Sequence, residues 1–490
     1  MAKIEGCLSG RKAAREQLGD VLVLGLGKSG NAVARYCADL LGTRVRSLTI
    51  AAGEQNETSL QMAERYREMG ARVLFDTFTF EGSFDMCVAS PGISQFSRFY
   101  ENAAHASKEI MSEVEFAWRE SAEDARWVAI TGTNGKTTTT TLTYHLLEGA
   151  GIRAAAVGNI GNTCIDAVAH DAADVYVVEV SSFQLASMID FAPDVAVLLN
   201  ITPDHIYWHM TMDAYIQAKK NVYAHLNKTQ GTLIIDAVND ITRGCVREFK
   251  NVEDRGFDYI PLGCGEGMRH SMIDACGSES AAFLRDGMLH VDIKGTSYDL
   301  IPEADLHIKG EHNASNALAA ASAALCVGVS VEDVRRGLSD FKPLEHRLEP
   351  CGSIDGVQCF NDSKATNVDA TLKALDSFPR IKPVFLLGGH DKGTDLTELV
   401  ASAAEHCRAV VCFGTAGPRF MEAFDTSDLP HVQAEHMEDA LDEALRMSSM
   451  GDVVVLSPAC ASFDEFDSFE HRGVVFKSLV EFRASQRSKR

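Results

Sequence analysis

Apolar residues along this chain come in short runs, each closed by glycine or a small polar residue and followed by a stretch with helical spacing. A first group holds 21–27 (VLVLGLG), 44–50, 71–76 and 85–92 (DMCVASPG). A second opens at 127–132 and continues through 175–180 (VYVVEV), 195–200 (VAVLLN) and 232–236. A third contains 357–362, 384–389 (VFLLGG), 409–414 and 453–457 (VVVLS). Strands apolar on both faces, alternating with helices, predict an α/β protein built on parallel sheets. One segment breaks the rule: 283–301 (FLRDGMLHVDIKGTSYDLI) alternates and turns at Asp286-Gly287. That pattern predicts a hairpin, an antiparallel annex to the central sheet. Hinges at 107–112 and 340–349, the latter containing Pro343, suggest three domains, 1–110, 111–343 and 344–490.

Composition narrows the class. A chain of 490 residues is too long for one core, and 46% hydrophobic with 23% charged residues is ordinary for a globular protein. No apolar run is long enough to span a bilayer, and the first twenty residues lack the apolar core of a signal peptide, so no membrane insertion and a cytoplasmic setting are expected. The 13 cysteines are scattered without C-x-x-C pairs and read as reduced core residues. A net charge of −23 with no basic cluster argues against nucleic acid but leaves anionic small molecules open.

Candidate chemistry gathers at strand ends. Gly132-Thr133-Asn134-Gly135-Lys136-Thr137-Thr138 (GTNGKTT) follows a strand and opens a helix. Backbone N–H groups at that helix start, with the Lys136 charge, suit phosphates, and a threonine hydroxyl suits Mg²⁺. The loop holds two residues between its first glycine and Gly-Lys, where the usual phosphate loop holds four. Gly25–Gly30 also follows a strand; a tight turn and a diphosphate site fit it equally. Glu179 ends a buried strand where a Mg²⁺-directing acid belongs, against the alternative of a solvated acid beside a capping serine. Asn200–His205 (NITPDH) ends the next strand. His209, four residues after His205, has metal-pair spacing, although a histidine on a helix surface is commoner. In the third group NDSKATN, GGHDK and Ser457-Pro458 close three strands, two with a lysine, which favours an anionic ligand.

Taken in order, GTNGKTT, EVSSFQL, NITPDH, AKKNVY, GEHNASN, HRLE, NDSKATN, GGHDKG and LSPACASFDEFDSFEHRG resemble the Mur ligases, ATP-dependent enzymes that build the peptide of bacterial cell-wall precursors. The shortened phosphate loop is that family's own variant. NDSKATN and SPACASFDEF resemble its D-glutamate-adding branch. The resemblance implies a UDP-binding Rossmann-like domain, a central ATPase and a C-terminal Rossmann-like domain, acting as a monomer. It implies Lys28, Ser29 and Gly92 along the UDP-sugar, with Asn159 and His205 facing the sugar and its L-alanyl carboxylate. ATP would lie on Gly132, Thr133, Asn134, Gly135, Lys136, Thr137 and Thr138, and on Asn313, Asn316, Arg347, Asp362 and Lys364. Thr137, Glu179, His205 and Lys219 would surround two Mg²⁺ ions. Lys219 matches a lysine that the family carbamylates, with Lys220 its neighbour in register. Thr366, Lys392, Ser462 and Phe469 would hold D-glutamate.

Two positions depart from the pattern. The strand ending SLTIAAGE lacks an acid that some members place near uracil, and Tyr207 stands where many carry an aspartate. The implied reaction joins UDP-N-acetylmuramoyl-L-alanine to D-glutamate through an acyl phosphate made with ATP, with Lys136, Glu179, His205 and Lys219 as the catalytic set. A different amino-acid acceptor is the first rival, opposed by the absence of a D-N-P-R motif. A regulator that binds nucleotide without turnover is the second, opposed by the intact catalytic set.

Overall fold

The computed structural model describes residues 14–487 apart from 54, 253, 264–275, 309, 379–380 and 392. Two compact units emerge: one runs through Leu306 and takes up Asn313–Phe341, the other takes His307–His312 and Lys342 onward.

The first unit carries two sheets. β1 (Gly19–Leu24), β2 (Val45–Ala51), β3 (Arg72–Leu74), β4 (Met86–Ala89) and β5 (Ile110–Ser112) form a parallel sheet in the order β3-β2-β1-β4-β5. The order reverses direction between β1 and β4, where a crevice opens at the carboxyl ends of an α/β sheet. The second sheet comprises β6 (Arg126–Thr131), β7 (Ala154–Gly158), β8 (Val175–Glu179), β9 (Val195–Leu198), β10 (Thr232–Asp236), β11 (Asp258–Gly263), β12 (Ala281–Arg285), β13 (Met288–Ile293) and β14 (Thr296–Pro302). Its order is β14-β13-β12-β11-β10-β9-β6-β8-β7, parallel except for β12-β13-β14. The expected annex is therefore present and continuous with the central sheet. Asp286-Gly287 turns its first hairpin with φ of 52° and 76°, and Lys294-Gly295 its second with 49° and 79°. Paired positive φ values match the right-handed twist of a tight hairpin.

β7 and β11 escaped the sequence pattern. β7 is three alanines, a valine and a glycine, and β11 carries Pro261, which offers no N–H to a ladder. One hydrophobic core runs under both sheets of this unit. Trp127 stacks on Tyr176 at 4.9 Å and meets Phe191 edge-on, while Trp118 from helix Glu113–Glu120 meets the same phenylalanine at 5.7 Å.

The second unit is built on β15 (Glu349–Ile354), β16 (Val357–Asn361), β17 (Val384–Gly388), β18 (Ala409–Phe413), β19 (His431–Gln433) and β20 (Val453–Ala459), ordered β15-β16-β20-β17-β18-β19. Only the β15–β16 hairpin is antiparallel among its pairs, with Asp355-Gly356 at its turn. Pro350, Gly352 and a register shift hide β15 from a search for alternation. Helices flank the sheet on both sides of two apolar layers.

Candidate active site

The chemistry collects at the carboxyl edge of the second sheet. β6 ends at Thr131, the loop Gly132–Gly135 follows, and helix Lys136–Gly149 begins. Gly135 caps that helix in the left-handed region (φ 84°), and a Cβ there would come within 2.4 Å of Asn316 Oδ1. At Gly132 (φ 155°) a Cβ would lie 2.9 Å from Leu199 Cβ. Only glycine fits either place.

The loop is held from the neighbouring strand end. Asn134 N–H donates to Asn200 Oδ1 (2.9 Å), Asn200 Nδ2 returns to Asn134 O (3.2 Å), and Thr133 N–H reaches Asn200 O (2.8 Å). Thr133 Oγ1 lies 2.9 Å from the Tyr215 hydroxyl. Helix Glu311–Cys326 backs the loop: Asn316 Nδ2 donates to Asn313 Oδ1 (3.1 Å), and Thr139 Oγ1 to Asn316 Oδ1 (3.3 Å). Thr138 is buried beside them and Thr137 is half-buried.

Two lysines meet on one carbonyl. Lys136 Nζ donates to Gly132 O (2.9 Å) and Thr133 O (2.8 Å), and Lys219 Nζ donates to Gly132 O (2.7 Å). Lys219 is 2% exposed and lies 4.9 Å over the Tyr215 ring. Burial, reinforced by the Lys136 charge and opposed by Asp204 and Glu179, drives its ammonium pKa well below the ordinary lysine value. Lys220, its register neighbour, faces outward, 3.8 Å from Glu248.

Glu179 ends β8, paired beside β6, and is 1% exposed. Asn159 Nδ2 donates to Glu179 Oε1 (2.8 Å), and Asn159 N–H to the Glu179 carbonyl (2.9 Å). Glu179 Oε2 is buried without a hydrogen-bond partner among the described residues. A buried carboxylate oxygen left so is costly unless a proton or cation meets it. It is no solvated acid beside a cap, although Ser181 does cap helix Ser182–Ala186. His205 adopts φ 54° at the start of helix Ile206–His209, its ring 4.7 Å from Phe183 and its Nε2 3.5 Å from Asp204 Oδ2.

His209 is not the surface residue its spacing suggested as the commoner case. It is fully buried, its Nε2 lies 2.9 Å from Ser182 Oγ, and desolvation lowers its pKa to about 4. Packing among Phe183, Trp208 and Tyr215 overrides the surface expectation.

Lys28, Ser29 and Gly92 sit at the β1/β4 crevice, beyond β1 and β4. Lys28 opens helix Lys28–Asp39 and donates to Gly161 O (2.6 Å), in the same loop as Asn159.

In the second unit the polar strand ends are knitted together. Asp362 is buried; its Oδ2 accepts from Ser457 Oγ (2.7 Å) and its Oδ1 from Leu348 N–H (3.2 Å). Desolvation nonetheless raises its pKa to about 7. Arg347 is half-buried nearby in sequence, Thr366 N–H donates to Lys364 O (2.8 Å), and Lys364 Nζ stands 3.7 Å from the centre of the Phe469 ring. Ser462 is buried and Lys392 lies outside the described residues. Glu345, His346 and Glu349 cluster at metal-like distances, but Lys477 already pairs with both glutamates.

Sequence reasoning overlooked Asn200, Tyr215 and Arg472 as organisers. Tyr215 had a signal: it precedes Lys219 by four residues, one helical turn. Arg472 is fully buried and donates to Ser363 Oγ, Ser363 O, Cys460 O and Ala461 O at 2.8–3.2 Å. Nothing in its local sequence marks it as internal.

Comparison with known proteins agrees with this arrangement. Residues 130–324 match the Mur ligase middle domain, and residues 346–460 match the family described as Mur ligase, glutamate ligase domain. A protein of Salinibacter ruber named UDP-N-acetylmuramoylalanine–D-glutamate ligase is 39% identical, covering 94% of this chain and 97% of its own. Another of that name from Koribacter versatilis is 36% identical over 96% and 98%. Among solved structures, a pseudomurein peptide ligase type C from Methanothermus fervidus shares the fold with a TM-score of 0.56 at 17% identity, covering 94% of this chain and 99% of that one. MurF from Acinetobacter baumannii gives the same TM-score at 18% identity over 82% and 91%. With relatives aligned almost end to end and two family domains matched in order, the chain belongs to the Mur ligase family.

Proposed function

We propose that the chain joins the L-alanyl carboxylate of UDP-N-acetylmuramoyl-L-alanine to the amine of D-glutamate at the expense of ATP, a step in making the peptidoglycan precursor. One observation carries the reading: the phosphate loop, the buried Glu179 with its unpartnered oxygen, and the buried Lys219 converge on the carboxyl edge of one sheet. Near end-to-end relatives of that name support it.

A carboxylate does not acylate an amine unaided, so it must first gain a leaving group. The L-alanyl oxygen attacks the γ-phosphorus, the bond to the β-phosphate oxygen breaks, and an acyl phosphate and ADP result. The D-glutamate amine then attacks the acyl carbon, loses a proton, and phosphate departs as the amide forms. Lys136 and the N–H groups at the start of helix Lys136–Gly149 offset charge on the phosphate oxygens. Asn313 and Asn316 back the loop, and Arg347, Asp362 and Lys364 are the proposed nucleotide contacts of the second unit. Thr366, Ser462, Phe469 and Lys392 are its proposed D-glutamate contacts. Lys28, Ser29 and Gly92 are proposed along the UDP-sugar, with Asn159 and His205 at its reacting end.

Magnesium, when bound, neutralises phosphate oxygens. Thr137, Glu179, His205 and Lys219 are the residues proposed to hold two such ions. The lone buried oxygen of Glu179 fits a cation; an unmodified Lys219 does not. Carbamylation resolves the conflict. Burial disfavours the ammonium form, the neutral amine attacks CO₂, a proton is lost, and the product is an anion whose remaining N–H can keep the bond to Gly132 O. A ¹³C-carbamate signal from protein equilibrated with labelled bicarbonate is expected, and its absence in active enzyme refutes the modification. We further propose a cytoplasmic monomer with domain boundaries near 110 and 343; among the described residues no helix is long and apolar enough to cross a membrane.

The deciding assay follows phosphate release with ATP, Mg²⁺ and UDP-N-acetylmuramoyl-L-alanine, offering D-glutamate, L-glutamate, meso-diaminopimelate and L-lysine in turn. Release with D-glutamate alone is expected. Turnover with another amine retains the mechanism and overturns the substrate.

A further inference from the structure

Helix Ile206–His209 is a single turn bounded by two left-handed residues, His205 (φ 54°) and Met210 (φ 66°). Tyr207 and the bounding Met210 are 75% and 64% exposed, whereas Trp208 is only 7% exposed. The indole packs 4.7 Å from Phe183 and 4.5 Å from His209. Phe183 also carries the His205 ring at 4.7 Å, so one phenylalanine separates Trp208 from the histidine at the reacting end. On its other side the Trp208 carbonyl accepts from Ser94 Oγ (3.0 Å), in the loop that leaves β4 past Gly92. Trp208 thus stands between the β1/β4 crevice and the catalytic edge.

The Trp208 Nε1–H is buried and has no hydrogen-bond partner among the described residues, unlike Trp127, whose Nε1–H reaches Ser121 Oγ at 3.1 Å. Buried indole N–H groups almost always find an acceptor, because an unmade bond forfeits the hydration the group had in the unfolded chain. We infer that Trp208 is a substrate-contacting residue whose indole N–H is held for an oxygen of the N-acetylmuramoyl moiety, between the diphosphate and the L-alanyl carboxylate. The indole donates and accepts nothing, so it selects a carbonyl or hydroxyl oxygen at that point and disfavours an apolar or ammonium group. This rests on the reading that a UDP-sugar occupies the first unit.

The test replaces only the donor. Trp208→Phe keeps an aromatic ring on Phe183 and should raise KM for UDP-N-acetylmuramoyl-L-alanine about tenfold, with KM for ATP and D-glutamate within twofold and the melting temperature unchanged. Adding the UDP-sugar without ATP should shift tryptophan emission in the parent protein, and the shift should vanish in the variant. An unchanged KM, or an emission shift that persists undiminished in Trp208→Phe, overturns the inference: water, not substrate, then meets the N–H. If the variant melts early, the emission titration of the parent protein decides alone: no shift on saturation with UDP-sugar also overturns it. Parent protein that does not turn over this UDP-sugar at all refutes the functional reading, a different outcome from parent turnover with an unaltered variant KM.

Discussion

The carboxyl edges of the second and third sheets are built from the same residue types and treat them oppositely. At the third sheet, Asn361, Asp362, Ser363, Ser457 and Arg472 are buried and mutually bonded. At the second, among the described residues, Glu179 keeps a buried oxygen without a partner and Lys219 is a buried amine on a single carbonyl. A satisfied polar network stiffens the loops that carry it; a deliberately unsatisfied one reserves its capacity for something that binds. The difference separates a stiffened edge from one that keeps its bonding capacity open more sharply than polarity does.

Substitutions should divide along that line. Glu179→Gln is expected to lower kcat/KM by about 10³-fold, since the carboxylate proposed to hold the cation that neutralises the phosphates is lost. Its melting temperature should hold or rise, because a buried unpaired charge has gone; steady-state kinetics with a thermal melt checks both. Arg472→Met makes the opposite prediction. It strands the carbonyls of Ser363, Cys460 and Ala461 and should cost about 3 kcal/mol in urea unfolding. Stability matching the parent would show that this network is not what braces the third edge.

Asn159→Ala sharpens the comparison at smaller scale. It removes the hydrogen bond that orients Glu179 Oε1, and a 10–100-fold fall in kcat, about 1.4–2.7 kcal/mol, is expected from losing a supporting contact of this kind. A further prediction concerns pH. Burial raises Asp362 from the 3.8 of an ordinary aspartate to about 7, so the folded protein holds a proton that the unfolded chain has released. Stability from this group is fully present below about pH 4 and is lost as pH rises toward 7. Asp362→Asn should flatten that decline in melts of the ligand-free protein between pH 4 and 8; an unaltered slope would show that Asp362 is not the titrating group.

Much of the site was legible because its chemistry depends on contiguous residues. A strand, a glycine turn and a helix start are local, so GTNGKTT announces a phosphate loop, and β8 ending in Glu179 announces an acid at the same edge. The hairpin at Asp286-Gly287 was equally readable, since two adjacent residues with positive φ decide it. β7, β11 and β15 were not, because an alanine run and internal prolines are accepted there only through pairing with neighbouring strands.

The sequence by itself therefore determined the parallel α/β class, the annex, the phosphate loop and the family, all carried by local patterns and their order. Tertiary structure alone decided which polar side chains are buried and what meets them: Lys219 inside and Lys220 outside, His209 in the core, Arg472 on four acceptors, Trp208 turned inward without one. The physical reason is that desolvation and hydrogen-bond satisfaction depend on residues far apart in the chain, which only the packed structure brings together.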